Sequence, residues 1–224
     1  MTIQDNYKKV LEKIQETCHK YQRNPKEVQL VVVSKNQTAQ QIQAIYDLGH
    51  KDFGENRVQE AFNKREVLPK DIHWHFIGSI QKNKVNKIIP GFCLIHSLDN
   101  LLLAEKLAKV SEQNNVTTSA LLQVNISKEE TKQGFSKDEC LRLFETIKTL
   151  PHLSIKGLMT MAPYHEKPEK IAQFFSELRE LKETLEQKFA LYLPHLSMGM
   201  SEDFSIAIAE GATIVRIGSS IFKD

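Results

Sequence analysis

The sequence predicts an α/β protein, a single (β/α)8 TIM barrel with an extra N-terminal helix. The main observation is that strand-like and helix-like runs alternate along the 224 residues with little between them. Parallel strands require crossovers that are usually helical, and eight such units suit a barrel, although the chain is shorter than the roughly 250 residues typical of the class. A doubly wound open sheet is the main alternative. It is weakened because no G-x-G-x-x-G motif follows the first strand-like run.

The individual elements follow from local patterns. Leu30–Ser34 contains four consecutive aliphatic residues bounded by polar ones, which suits a strand covered on both faces. The next run has a capping residue in Thr38, carries Ile42 and Ile45 at helical spacing and stops at Gly49, so it is predicted to be a helix. The predicted strands are Leu30–Ser34, Asp52–Gly54, His73–Ile77, Leu94–Ser97, Ala120–Asn125, Ile155–Met161, His195–Met198 and Thr213–Ile217. The predicted helices, besides an amphipathic one at the N-terminus, are Ala39–Leu48, Val58–Val67, Lys82–Ile89, Leu101–Glu112, Lys137–Leu150, Pro168–Phe189 and Phe204–Ala209.

Composition narrows the class of protein. No linker or low-complexity stretch divides the chain, so one domain covering 1–224 is expected. The formal charge of +2 gives no footprint for nucleic acid, and the locally basic "QKNKVNK" is interpreted as a solvated helix face. No segment is apolar and long enough for a signal peptide or a membrane span, so a soluble cytoplasmic protein is expected. Cys18, Cys93 and Cys140 are far apart and predict neither disulfides nor a zinc site.

Polar residues concentrate where the predicted strands end. In a barrel these carboxyl ends face the active mouth, and phosphate is commonly held after strands 7 and 8. "SMGMS" follows strand 7 and places Ser201 at a predicted helix start, where its hydroxyl and free N–H groups could meet an anion. An ordinary N-cap is the alternative for Ser201 alone. "RIGSS" follows strand 8 and adds Gly218, which permits close backbone approach, and Ser219. The two loops together favour a phosphate site.

Lys35 is an unusual residue to find at the end of a buried strand. Barrel closure makes strand 8 the neighbour of strand 1, so Lys35 and Arg216 are expected to share one mouth. A lysine among apolar walls and near a second cation loses proton affinity, and its neutral amine can attack an aldehyde. We therefore interpret Lys35 as a Schiff-base lysine. The alternative is a lysine that only extends from the barrel rim into solvent.

The motifs of the chain resemble, in order, those of the pyridoxal phosphate homeostasis proteins. The matching stretches are "VSKNQT", "FGENRVQE", "HWHFIGSIQKNKV", "NISKEETKQGF", "IKGLMTMAP", "LSMGMSEDFSIAIAEG" and "VRIGSSIF". The resemblance implies a barrel related to the alanine racemase N-terminal domain that binds pyridoxal 5′-phosphate (PLP). Serines at 219 and 220 and Lys223 depart from the usual residues of the family. They predict that the helix after the last strand is nearly absent.

The resemblance also implies the residues of the cofactor site. Lys35 would form the Schiff base, Asn56 would lie beside the cofactor, and Arg216 would face the pyridine nitrogen. The phosphate would be held by the two loops, and the full expected set is Lys35, Asn56, Met200, Ser201, Arg216, Gly218 and Ser219. The expected partners are PLP and PLP-dependent apoenzymes, with no nucleic acid or membrane, and a monomer is expected.

Two other features of the sequence could form sites. His73 and His75 lie on one face of a strand and could bind zinc with a third ligand, but no suitably spaced ligand accompanies them, which favours packing or hydrogen bonding. Lys132, in a loop near the mouth, could compete for an aldehyde, and a solvated loop is the preferred interpretation.

Two classes of function remain open. One is a PLP-binding protein that stores, delivers or regulates the cofactor without turnover. The other is an enzyme, namely a small PLP-dependent racemase or decarboxylase, or an aldolase that uses Lys35. Arg216 favours the first class, because an arginine leaves the pyridine nitrogen unprotonated and weakens the ring as an electron sink. The related racemases also have a further β-domain and a tyrosine from a partner chain. This chain ends seven residues after Ile217, so neither is expected here.

Overall fold

The computed structural model describes residues 2–129 and 132–223 and has a closed barrel of parallel strands. The strands follow one another around the barrel in chain order, and the last pairs with the first. They are β1 (Gln29–Val33), β2 (Asp52–Glu55), β3 (His73–Phe76), β4 (Leu94–Leu98), β5 (Thr118–Gln123), β6 (Leu153–Met159), β7 (His195–Ser197) and β8 (Ile214–Ile217). The predicted (β/α)8 barrel is confirmed, and an open sheet is excluded by the β1–β8 pairing.

Helices alternate with these strands. They are α1 (Ile3–Lys20), α2 (Ala39–Tyr46), α3 (Val58–Val67), α4 (Val85–Ile88), α5 (Leu101–Gln113), α6 (Lys137–Lys148), α7 (Pro168–Phe189), α8 (Phe204–Ala209) and α9 (Ser219–Phe222). The prediction of a helix over Lys82–Ile89 is wrong in extent. The α-helix there, α4, has one turn and lies between 3₁₀ turns at Lys82–Lys84 and Ile89–Gly91. Pro90 lacks the N–H that a longer α-helix would need. No helix in the described residues is long and apolar enough to cross a membrane.

The N-terminal helix packs outside the barrel, against helices that flank β8 and β1. Thr2 and Asp5 form a capping box that starts α1, and its apolar face buries Tyr7, Val10 and Ile14. This helix packs against α2, α8 and α9. The helix after β8, α9, has only four residues, as the departures from the family at the C-terminal end predicted. Packing of α1 against it shields the outside of the barrel where a longer helix would otherwise lie.

Side chains alternate between two layers. Every second strand residue faces the helices and joins the large apolar core, to which Phe53, Phe76 and Leu122 contribute. The others face the barrel axis, where Val31, Leu94, Leu121, Met159 and Ile214 form a small separate apolar cluster. The rest of the interior is polar, and it contains the buried His75, His96, Ser197 and Arg216.

Two strands begin and end two residues before their predicted positions. β5 and β6 start at Thr118 and Leu153, which pair directly, whereas the predictions started at Ala120 and Ile155. The first residues of β5, Thr118 and Ser119, are polar and gave only a weak strand signal. Pairing with the neighbouring strand overrides that local preference.

Candidate functional site

All eight strands point the same way, so the segments that follow them meet at one end of the barrel. Lys35 and Asn56 follow β1 and β2, while Ser201 and Ser219 follow β7 and β8. Arg216 lies inside β8, opposite Val31 of β1. The structure therefore brings together the side chains that the sequence singled out.

Lys35 is exposed, so the expectation that apolar walls surround it is wrong. β1 ends two residues earlier, at Val33, and the chain then turns at Lys35 and Asn36, with Asn36 in the left-handed region at φ 62°. Within the described ranges, no side chain hydrogen-bonds or ion-pairs with the Lys35 amine. The amine is therefore accessible from solvent.

A buried ion pair anchors the residue before Lys35. The Lys64 Nζ atom of α3 donates to Glu55 Oε1 at 2.7 Å and to the Ser34 carbonyl at 2.8 Å. The Ser34 hydroxyl donates to the same carboxylate oxygen at 2.6 Å. Burial raises the pKa of Glu55, and the bonds from Lys64 and Ser34 oppose that shift. The sequence reasoning missed this cluster, although an acidic residue in a short buried strand was an available signal.

Asn56 carries a buried hydrogen-bond acceptor at the mouth of the barrel. Its Oδ1 atom is buried and has no hydrogen-bond partner among the described residues. The backbone of Asn56 is held by a close approach to Gly78 after β3, where a Cβ would overlap the Asn56 carbonyl oxygen. Buried polar atoms are normally paired, so this one is suited to accept a hydrogen bond from a ligand.

The loop after β7 differs in detail from its prediction. The N-cap of α8 is Asp203 and not Ser201, because three turn residues precede the helix. Asp203 closes that turn by accepting from the backbone N–H of Met200 at 2.5 Å. Ser201 Oγ instead accepts from the N–H of Ser220 at 3.3 Å, so the loops after β7 and β8 are in contact.

The loop after β8 approaches β1 closely. At Gly218 a Cβ would lie 3.0 Å from the carbonyl oxygen of Val33, which explains why a residue without a side chain stands there. Ser219 follows it, exposed at the start of α9. Met200, Ser201, Gly218 and Ser219 therefore occupy one corner of the mouth, next to the end of β1.

Arg216 is a buried cation whose hydrogen-bond acceptors in the described residues are neutral. Its Nη1 atom donates to Ser197 Oγ at 2.6 Å and its Nη2 atom to the Thr160 carbonyl at 2.9 Å. Burial lowers its pKa to about 10, with nearby Asp203 acting the other way, so the group remains charged at neutral pH. No carboxylate in residues 2–129 or 132–223 forms an ion pair with it. Its remaining N–H groups are available to a ligand.

The two alternative sites have structural explanations. His73 and His75 both approach Asp52 Oδ1, at 3.2 and 3.3 Å, so the hydrogen-bonding interpretation is confirmed. The sequence did not reveal Asp52 as their partner, because it comes from the adjacent strand β2. Lys132 is half-buried, and its amine lies 5.5 Å from the centre of the Tyr164 ring. The neighbouring positions 130 and 131 of that motif lie outside the described residues.

Comparison with known proteins identifies the family. Residues 9–224 match the model of the alanine racemase N-terminal domain. A pyridoxal phosphate homeostasis protein of Aquifex aeolicus is 44% identical over 225 residues, which cover 100% of this chain and 99% of that protein. The chain belongs to the pyridoxal phosphate homeostasis protein family. The resemblance noted in its motifs is confirmed.

Solved structures agree with this family and fold. PipY of Synechococcus elongatus, in a structure with PLP bound, is 36% identical, with a TM-score of 0.83 over 93% of this chain and 99% of that one. An alanine racemase of Clostridium difficile shares the fold at a TM-score of 0.77 with 11% identity. That match covers 97% of this chain and 56% of the racemase chain.

Proposed function

We propose that this chain binds PLP at the carboxyl-terminal mouth, through the amine of Lys35, and maintains the cellular supply of the cofactor. The observation that carries the proposal is the meeting of three groups at one end of the barrel. They are an accessible amine at Lys35, a buried guanidinium at Arg216 and, at Asn56, a buried acceptor with no partner among the described residues. Family membership and the PLP-bound relative support it.

The groups present suit a phosphorylated aldehyde. When bound, PLP supplies an aldehyde and an electron-accepting ring. Lys35 would condense with the aldehyde, with loss of water, and Arg216 would donate toward the ring nitrogen. The donors and close backbone approach at Met200, Ser201, Gly218 and Ser219 would hold the phosphate, and Asn56 Oδ1 would accept from a donor on the ligand.

The wider role follows from this binding. We propose that residues 1–224 act as one PLP-binding domain, as a cytoplasmic monomer that releases cofactor to PLP-dependent apoenzymes. Holding PLP reversibly limits the free aldehyde, which otherwise reacts with amines throughout the cell. The names of the relatives support this role.

Reduction with borohydride tests the proposed lysine. The protein with PLP should be yellow, and borohydride should fix the cofactor on Lys35, as peptide mapping would detect. Lys35→Ala should lose both the colour and the adduct, while weaker binding through the phosphate persists. Lys132→Ala is the matched control and should keep the adduct. An adduct that survives unchanged in Lys35→Ala would assign the site to another lysine.

We also propose that the chain does not turn over amino acids at a useful rate, against the alternative of a small racemase. Arg216 beside the ring nitrogen would lower carbanion stabilisation. Removal of the Cα proton also needs a positioned base, which is worth typically 10²–10⁴-fold in rate. Solvent-deuterium incorporation at Cα should therefore stay near background with L- and D-alanine, serine and basic amino acids. Rapid exchange that disappears in Lys35→Ala would establish a racemase instead.

A further inference from the structure

Five side chains from five strands form a continuous series of hydrogen bonds along the barrel interior, which we call the axial chain. Asp52 Oδ1 lies 3.3 Å from His75 Nε2, and His75 Nδ1 lies 3.0 Å from His96 Nε2. His96 Nδ1 lies 2.8 Å from Ser197 Oγ, which accepts from Arg216 at 2.6 Å. The series starts in β2 and ends in β8 at Arg216, a residue of the candidate site.

The axial chain connects the two ends of the barrel. Asp52 is the first residue of β2 and lines a cavity of about 360 Å³ at the amino-terminal end, together with Gln29, Lys156 and His195. The other members are at least 96% buried, with His96 and Ser197 wholly so. A group that contacts solvent at one end is thus linked through buried residues to Arg216 at the other.

The direction of the hydrogen bonds follows from the chemistry of the two ends. Arg216 can only donate, so Ser197 Oγ accepts from it and keeps one hydrogen that it can give to Nδ1 of His96. A neutral His96 then carries its hydrogen on Nε2 and donates to Nδ1 of His75. His75 in turn donates from Nε2 to the carboxylate of Asp52. The reverse direction would aim a lone pair of His75 at that carboxylate.

The charge states of His96 and Asp52 agree with this direction. Burial lowers the pKa of His96 well below its ordinary value, with His75 and Arg216 adding to the effect, so this imidazole is neutral. Burial raises the pKa of Asp52, but the bonds from His75 and His73 outweigh it, and the net pKa is lowered. The neutral His96 therefore lies on the path that leads from the carboxylate of Asp52 to the guanidinium of Arg216.

We infer that Asp52, His75, His96 and Ser197 are positioning residues. They hold Arg216 in place for the ligand and set the direction of each hydrogen bond in the axial chain. The inference rests on the proposed function for the identity of the ligand. Asp52 accepts from His75, which fixes both imidazole tautomers and leaves the Ser197 oxygen as an acceptor for Arg216. The free N–H groups of the guanidinium are thereby directed toward the mouth. A change at the amino-terminal end therefore alters the group that meets the ligand.

The ligand-free protein tests the direction. Long-range ¹H–¹⁵N NMR of the imidazoles near neutral pH should show His75 and His96 both protonated on Nε2. Asp52→Asn can donate as well as accept, so it should convert part of the His75 signal to the Nδ1–H form. Asp71→Asn, in an exposed pair with Lys51, is the control and should leave the spectrum of both imidazoles unchanged. His75 protonated on Nδ1 in the unaltered protein would overturn the inference.

Binding of PLP tests the positioning role. Ser197→Ala should weaken affinity on the order of tenfold and shift the absorption band of bound PLP, because Arg216 loses an acceptor. Ser111→Ala removes another fully buried serine hydroxyl, bonded to Thr118 in a different part of the fold. It should reduce stability similarly and leave affinity and spectrum unchanged. Asp52→Asn should reproduce the spectral shift with a smaller loss of affinity.

Two results would contradict the inference. Unchanged affinity and spectrum in both Ser197→Ala and Asp52→Asn would show that the axial chain has a structural role and does not position Arg216 for the ligand. Equal losses in Ser197→Ala and Ser111→Ala would show a general effect of stability. If the unaltered protein fails to bind PLP, the proposed function fails, whereas the tautomers in the ligand-free protein still report on the axial chain.

Discussion

The carboxyl-terminal mouth and the barrel interior beneath it are both polar, but their polar groups are satisfied differently. At the mouth, Lys35 and Ser219 are exposed, and Asn56 Oδ1 is buried with no partner in the part of the chain that the structure describes. In the interior, His96 is completely buried and bonded at both ring nitrogens, and Arg216 has partners at both terminal nitrogens.

This difference follows from where the residues stand. Mouth residues are carried by loops after the strands, where solvent or a ligand can meet their hydrogen-bonding needs. Interior residues are carried by strands whose neighbours lie about 4.8 Å away, so they must satisfy one another. The comparison indicates that the mouth is left incomplete for a ligand, whereas the interior is organised in advance. Three experiments would break or sharpen the contrast.

The largest effect is expected at Lys64, which supports the mouth from outside the barrel. Lys64→Met removes the charge that compensates the fully buried Glu55. Breaking a buried ion pair in this way should lower the free energy of unfolding by about 3–5 kcal/mol, as urea denaturation would measure. Lys137→Met breaks a pair with Glu177 that is 38% exposed at the lysine, and should cost less than about 1 kcal/mol. Similar costs for both would contradict the assignment of Lys64 as buried support.

A smaller effect, on binding alone, is expected at the two mouth serines. Ser201→Ala and Ser219→Ala should each weaken PLP binding by about 1.5–3 kcal/mol, the usual range for a hydrogen bond to a charged group. Ser219 is exposed, and Ser201 is half-buried with one long hydrogen bond from Ser220 N–H, so thermal stability should change little. Titration with pyridoxal, which lacks the phosphate, should be nearly insensitive to either change. Equal losses for pyridoxal and PLP would show that these serines shape the barrel and do not contact phosphate.

The smallest effect is expected in the dependence of stability on pH. Burial lowers the pKa of His96 and His195 below 6.5, so the unfolded chain binds protons first as pH falls. Stability should therefore decrease below about pH 6.5, by at most about 1.4 kcal/mol per pH unit for each histidine. Denaturation at several pH values should give a shallower slope for His195→Gln. His19→Gln, on the exposed face of α1, should match the unaltered protein, and equal slopes in all three would contradict the prediction.

Much of the fold could be predicted because its elements are encoded locally. The aliphatic run ending at Val33 and the cap at Thr38 specify a strand and a helix without help from the rest of the chain. Errors arose where tertiary structure overrides local preference. Pro90 and its surroundings shorten α4, and pairing with β6 draws the polar Thr118 into β5.

The sequence by itself determined the barrel, the family and the end of the barrel at which Lys35, Asn56, Ser201 and Arg216 meet. It could do so because parallel strands in chain order place all their carboxyl ends together, so position along the chain is enough. Only the tertiary structure decided that Lys35 is exposed, that Ser201 bonds to Ser220 and that the interior residues form the axial chain. His96 and Ser197 lie 101 positions apart, and their contact depends on strand register and barrel closure, which no local pattern records.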